Sequence, residues 1–173
     1  MVVRKRLKIK GKALVFVTIT VRKWIPIFDD KAIAEVMLNQ FKESLDFYNV
    51  SLVGYVLMPS HLHALLGFDK VELLSKFVQS FKILGAKRVK NLLKMDLINF
   101  TNSSGGFSFW KPRFDDSIIF SEEQFKIKLD YIHNNPVKAG LINRSDEWLY
   151  SSASDWISDM PGLLRIDKEF RWT

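Results

Sequence analysis

The chain changes its hydrophobic period several times, and each change predicts an element. Apolar residues from about Ala13 to Arg22 predict a strand, and helical spacing from about Asp30 to Tyr48 predicts a helix capped by Asp29 or Asp30. A second strand leads into Met58 and a third starts at His61, the two pairing antiparallel across Pro59-Ser60. In that third strand Leu62, Ala64, Leu66 and Phe68 form an unbroken apolar row, so His61 and His63 face the opposite way. A long helix over about Val71–Met95 carries Leu74, Phe77, Val78, Phe81, Leu84, Val89 and Leu92 on its apolar side. Asn102-Ser-Ser-Gly-Gly106 reads as a loop, and Phe107 to Phe120 alternates enough for a strand or hairpin.

A last helix begins at Ser121. Ser121 and Gln124 make a capping box, Glu122 and Glu123 complement the positive helix end, and Phe125, Leu129 and Ile132 recur as a buried stripe. Pro136 disfavours helical geometry at Asn135, which is therefore expected at a frayed last turn. Strand, helix, strand, strand, helix, strand is the ferredoxin-like order. The expected class is α+β: a βαββαβ sandwich with an antiparallel sheet, helices on one face and a further C-terminal helix. A single domain over 13–156 is expected between a basic arm, 1–12, and a tail, 157–173, and the last thirty residues, which have little periodicity, are expected to drape over the domain.

Composition narrows the functional classes. At 173 residues, 47% hydrophobic and 13% aromatic, the chain can bury one adequate core. No apolar run approaches a membrane span and the charged N-terminus lacks a signal peptide's apolar core, so a cytoplasmic protein with no membrane partner is expected. The absence of Cys removes disulfides, thiolate nucleophiles and Cys-based zinc sites. The net charge of +7 points to an anionic partner. Arg4, Lys5, Arg6, Lys8, Lys10 and Lys12 form an acid-free arm, and Lys82, Lys87, Arg88, Lys90 and Lys94 lie on an acid-free stretch of the long helix. Lys87, Lys90 and Lys94 recur at helical spacing, as a face tracking phosphates would. Phe109, Trp110 and Phe114 beside Lys111 and Arg113 suit base stacking next to a charged groove, although aromatic residues in a strand more often belong to the core.

The remaining candidates are few. Two of the chain's three histidines are His61 and His63, an alternation that presents two imidazoles on one strand face and suits a metal. Two ligands alone do not complete a site. Tyr131 and Asn135, four apart, stack on one side of the last helix, off its apolar stripe. His133 points to another side of that helix and is read as packing or as a contact to the anionic partner.

A His-hydrophobic-His strand followed by Tyr131-Ile-His-Asn-Asn-Pro-Val-Lys-Ala-Gly-Leu141 resembles the single-tyrosine HUH transposases, and specifically the REP-associated tyrosine transposases. Trp110-Lys-Pro-Arg-Phe-Asp-Asp116 and Trp148-Leu-Tyr-Ser-Ser152 resemble other segments of that family, so the likeness runs from about Leu14 to Trp156. It implies a nuclease and strand transferase acting on hairpin-containing single-stranded DNA with REP-like ends. Tyr131, on the C-terminal helix, would be the nucleophile and His61, His63 and Asn135 the metal ligands; Arg4, Lys5, Arg6, Lys82, Lys87, Arg88, Lys90, Lys94, Trp110 and Arg113 would contact DNA. A phenol with a free pKa near 10 is a weak nucleophile and needs a cation on the scissile phosphate. A mixed nitrogen and oxygen site fits Mg²⁺ or Mn²⁺, with Ni²⁺ or Zn²⁺ bound adventitiously. Either a monomer or a homodimer is compatible. Two other readings are weighed beside it: a nucleic-acid-binding protein, DNA or RNA, on an idle scaffold, which would need none of His61, His63, Tyr131 and Asn135 together, and a metal phosphoesterase whose nucleophile is water, which would tolerate loss of Tyr131.

Overall fold

Asp30 starts the first helix as expected: its carboxylate accepts from the backbone N–H of Ala32 at 2.9 Å and of Ile33 at 3.3 Å, which satisfies two otherwise orphaned donors. The computed structural model describes residues 9–93 and 97–172. In chain order it contains β1 (Ala13–Thr20), α1 (Lys31–Tyr48), β2 (Ser51–Met58), β3 (His61–Phe68), α2 (Leu74–Lys90), β4 (Asp115–Ile119), α3 (Glu122–Lys138) and the short α4 (Ala153–Ile157), joined in places by single 3-10 turns. The four strands form one antiparallel sheet in the order β2-β3-β1-β4, with the first and third strands in the middle. This is the α+β, ferredoxin-like arrangement that the pattern predicts.

Period-two alternation gives the sheet two distinct faces. Val15, Val17 and Ile19 of β1 with Leu62, Ala64, Leu66 and Phe68 of β3 bury one face under α1 and α2. Leu14, Phe16 and Leu65, with Val53, Val56 and Met58 of β2, form a second core against Leu129 and Ile132 of α3. His61 and His63 stand on this second face, two residues apart in register with Leu65. Gly54 is what lets α3 settle here, because a Cβ at that position would lie 2.8 Å from Leu129 Cδ1. The strand bulges at the same point, between Leu52 and Gly54.

Several boundaries differ from the expectation, each for a physical reason. The long helix stops at Lys90, and Leu84 and Leu92 are exposed. Its packed stripe is Leu74, Phe77, Val78, Phe81, Gly85 and Val89, with glycine where the stripe meets α1, because a Cβ at residue 85 would lie 2.8 Å from Met37 Sδ. The stretch from Phe107 to Phe120 is a strand only over Asp115–Ile119, plus single bridges Val21 to Trp110 and Thr101 to Phe107. Pro112 has no N–H to give to β1, and the chain leaves the sheet around it. Asn135 does not lie at a frayed end: α3 continues through the buried Pro136 to Lys138, and Ala139 N–H donates to the Asn135 carbonyl at 3.0 Å. At the start of α3, Ser121 Oγ accepts from Gln124 N–H at 3.2 Å, but the Gln124 side chain reaches Phe120 N–H at 2.9 Å rather than that of Ser121.

The C-terminal segment from Trp148 onward runs along the free edge of β2. Leu57 N–H donates to the Tyr150 carbonyl at 2.8 Å, Ser152 N–H to the Tyr55 carbonyl at 3.0 Å and Asp167 N–H to the Leu52 carbonyl at 2.8 Å. The indoles of Trp148 and Trp156 donate to the carbonyls of Leu57, at 3.0 Å, and Val53, at 2.9 Å. Among the described residues no helix is long and apolar enough to cross a membrane.

Ser152 is the buried joint of this edge. Its hydroxyl accepts from Tyr55 N–H at 2.9 Å and lies 2.9 Å from His133 Nε2, which accounts for His133 as packing. Ser152→Ala strips a buried N–H of its acceptor, so unfolding in urea should show a loss of about 1–3 kcal/mol; an unchanged midpoint would mean the tail holds the edge without this joint.

Candidate functional site

Register, more than sequence distance, assembles the site. β1 and β3 pair Thr18 with His63 and Thr20 with His61, so each imidazole has a hydroxyl-bearing neighbour on its own face. Thr18 Oγ1 lies 2.8 Å from His63 Nδ1, and Ser60 Oγ lies 3.1 Å from His61 Nδ1. Both Nδ1 atoms are thus engaged, and His63 Nε2 is buried with no hydrogen-bond partner. The two rings are 4.6 Å apart, centroid to centroid, nearly perpendicular.

The second core brings α3 onto them. The Tyr131 ring lies 5.2 Å from that of His63 and 5.9 Å from that of Phe16, edge-on to both, while Phe16 stacks on His63 at 5.5 Å. His63 is only 5% exposed, whereas Tyr131 is 40% exposed, so a buried imidazole sits beneath a phenol open to solvent. Asn135, one turn further along α3, is half-buried and its side-chain nitrogen has no partner. The oxygen and nitrogen of an amide exchange places by a half-turn, so the same position can present an acceptor.

The surroundings are cationic. Lys128 Nζ lies 4.5 Å above the Phe16 ring and 5.9 Å from the Tyr131 ring, Lys138 Nζ lies 5.8 Å from Tyr131, and Lys111 Nζ lies 4.0 Å from the Trp24 ring. Trp24 in turn packs edge-on to His61 at 5.4 Å. Burial, and less strongly the Lys111 ammonium, holds the His61 pKa down at about 4; burial, then His61 and Lys128, holds that of His63 at about 3. Both are neutral at physiological pH, the form that ligates a metal.

The donor set fits a divalent ion in an open site. It comprises two neutral imidazoles, one with an orphaned Nε2, and an amide one helical turn from the phenol. Among the described residues no three His, Cys, Asp or Glu side chains cluster as ligands. Asp115 pairs with Thr18 and shares its face, but is exposed and does not complete such a cluster.

The expected DNA contacts divide differently. Arg4, Lys5, Arg6 and Lys94 lie outside the described residues. Lys87, Lys90 and Arg113 are exposed, and Lys90 Nζ lies 5.3 Å from the Phe107 ring. Arg88 is not on an acid-free surface: it grips Glu43 of α1 with two hydrogen bonds, 2.9 and 2.7 Å, a partner that helical spacing within α2 could not reveal. Lys82 Nζ donates to the carbonyls of Lys111, at 2.7 Å, and Pro112, at 3.0 Å, tying down the turn where the chain leaves the sheet. Trp110 is corrected to core: it is buried among Phe28, Phe81 and Phe109, and its indole donates to the Lys82 carbonyl at 3.1 Å. Lys128 and Lys138 were legible in principle, since they fall three before and seven after Tyr131 on one helix face. Thr18 and Trp24 had no such signal, because strand register and a loop bring them in.

Residues 12–135 match the family model "Transposase IS200 like", and the chain belongs to that family. A REP-associated tyrosine transposase of Escherichia coli is 34% identical over 53 residues, covering 31% of this chain and 32% of that protein. A Haemophilus influenzae protein provisionally named as another is 24% identical over 117 residues, covering 66% of this chain and 65% of that one. The matched stretches thus span about a third and just under two thirds of these relatives. The solved structure of a REP-associated tyrosine transposase bound to a REP hairpin superposes with a TM-score of 0.74 at 19% identity, covering 97% of this chain and 93% of that one. The fold is therefore shared essentially throughout.

The buried histidines carry a pH signature in the metal-free protein. Burial lowers the His133 pKa from 6.5 to about 4, so the unfolded chain takes up this proton first as pH falls. With chelator present, stability should be level above about pH 7 and decline as pH drops below about 6.5. His133→Gln should flatten that decline in urea titrations at pH 6.5 and 5, and an equal slope in the variant would remove His133 as a contributor.

Proposed function

We propose that the protein is a metal-dependent single-tyrosine endonuclease and strand transferase acting on hairpin-bearing single-stranded DNA of the REP type. The observation that carries the reading is the exposed Tyr131 ring set edge-on to His63, with His61 alongside. In the proposed step the Tyr131 oxygen attacks the scissile phosphorus, the bond from phosphorus to the 3′ oxygen breaks, and that oxygen leaves as a hydroxyl with a proton. The phenol's own proton passes to solvent or base. A 5′-phosphotyrosyl bond conserves the energy for rejoining when a 3′-hydroxyl attacks in reverse.

His61, His63 and Asn135 would hold Mg²⁺ or Mn²⁺, which when bound supplies charge stabilisation on the phosphate oxygens. Thr18 and Ser60 orient the imidazoles, as outer-shell partners of ligating histidines do. Lys128 and Lys138 flank Tyr131 and add positive charge where an oligonucleotide backbone would pass. Tyr131 acting beside its own chain's histidines would need only a monomer, whereas exchange of the tyrosine helix between subunits would need a homodimer. The hairpin-bound relative of the same fold supports the substrate class.

A labelled hairpin oligonucleotide incubated with protein and Mn²⁺ should give an adduct that survives denaturing electrophoresis. Tyr131→Phe should bind DNA normally and form none; wild-type cutting by that variant would instead make water the nucleophile.

Calorimetric titration with Mn²⁺ should reveal about one site, weakened at least tenfold by His63→Ala or His61→Ala, the order expected for loss of a ligand or its orienting shell. Unchanged affinity in both variants would sink the metal assignment.

A further inference from the structure

Trp24 is an exposed aromatic side chain at this site that the proposed cleavage leaves without a task. It is 53% exposed, yet it is held rather than loose. The loop after β1 is tied to the turn before His61: Val21 N–H donates to the Ser60 carbonyl and Phe28 N–H to the Pro59 carbonyl, both at 2.9 Å. A 3-10 turn closes the loop, with Trp24 N–H donating to the Val21 carbonyl at 3.1 Å. Within it two consecutive non-glycine residues are left-handed, Lys23 at φ 55° and Trp24 at φ 58°. L side chains disfavour that region, and such backbone persists where its surroundings over-determine it, often at binding sites. The outcome is an indole fixed 5.4 Å from the His61 ring.

Lys111 supplies the second half of the arrangement. Its backbone N–H donates to the Thr20 carbonyl at 2.8 Å, and its own carbonyl accepts from Lys82 Nζ at 2.7 Å, so its backbone is anchored at both groups. Its ammonium lies 4.0 Å from the centroid of the Trp24 ring. The rings of Tyr131, His63, His61 and Trp24 thus follow one another at 5.2, 4.6 and 5.4 Å, with the phenol at one end and the indole at the other.

From this juxtaposition we propose that Trp24 is a stacking platform for an unpaired nucleotide base adjoining the phosphate that Tyr131 attacks, with Lys111 beside it against the backbone charge. The proposal rests on the function proposed above. A phosphate over the histidine pair carries its neighbouring base toward one end of this row, and an exposed indole beside a cation is the surface that single-stranded nucleic acid favours. Stacking engages the face of any base, so Trp24 holds the strand without reading its sequence.

The test is equilibrium binding of the full chain, with chelator present, to hairpin oligonucleotides whose single-stranded extension carries one abasic site, moved position by position. Wild type should lose about tenfold in affinity at one position, within the range for a stacked base. Trp24→Leu should lose about as much on intact DNA and become indifferent to that abasic site, while Trp24→Phe keeps most of the affinity and the sensitivity. If Trp24→Leu retains the wild-type abasic profile, or if Trp24→Phe is as impaired as Trp24→Leu, the platform is refuted. Matching urea midpoints for both variants separate stacking from misfolding. No cleavage or metal enters this measurement, so a missing Tyr131 adduct would overturn the reaction and leave the platform standing, whereas absence of any single-stranded binding would overturn both.

Discussion

The docking of α3 on the histidine face of the sheet is the contact on which the site depends. Leu129 and Ile132 are buried against Phe16, Val56 and Leu65, each burial stabilising by roughly 1.5–3 kcal/mol, and Gly54 provides the room. Once those side chains are seated the helix can neither rotate nor slide, and the residues just off the stripe are set in place with it. Tyr131 follows Leu129 by two and precedes Ile132 by one, so it falls at the edge of the buried stripe, over His63 and open to solvent. A Cβ at position 54 would meet the end of the Leu129 side chain, which would have to shift to admit it.

The same face exposes a problem that the C-terminal segment solves. β2 is an edge strand, and a bare edge offers its N–H and carbonyl groups to other chains. Two indole N–H groups, the Ser152 hydroxyl and several backbone groups between Tyr150 and Asp167 occupy that edge. Trp156 packs in turn on Phe125 of α3, so the segment that closes the edge also supports the helix carrying Tyr131. The C-terminal segment and the helix that carries Tyr131 therefore pack as one unit.

Charge at the site is arranged by opposites in solvation. The imidazoles are kept neutral by burial, while the lysines around them stay at the rim with their ammonium groups over aromatic rings. In the function proposed above, neutral nitrogen donors at the centre and cations at the edge would suit an anionic polymer, since each rim lysine attracts negative charge without competing as a ligand.

Period and punctuation along the chain determined the elements, because alternation and helical spacing are local consequences of backbone geometry. The strand carrying His61 and His63, the Asp30 cap, the Pro59-Ser60 turn and the helix bearing Tyr131 were all legible in this way. So was the pairing of Tyr131 with Asn135, which needs only the helical repeat. What tertiary structure alone decided is whatever depends on a second element: the Thr18 partner of His63, the Glu43 that engages Arg88, the burial of Trp110, and the loop that stands Trp24 beside His61. Spacing within one segment carries no information about the side chain that arrives from another, and those arrivals are set by strand register and by which helix fits against which face.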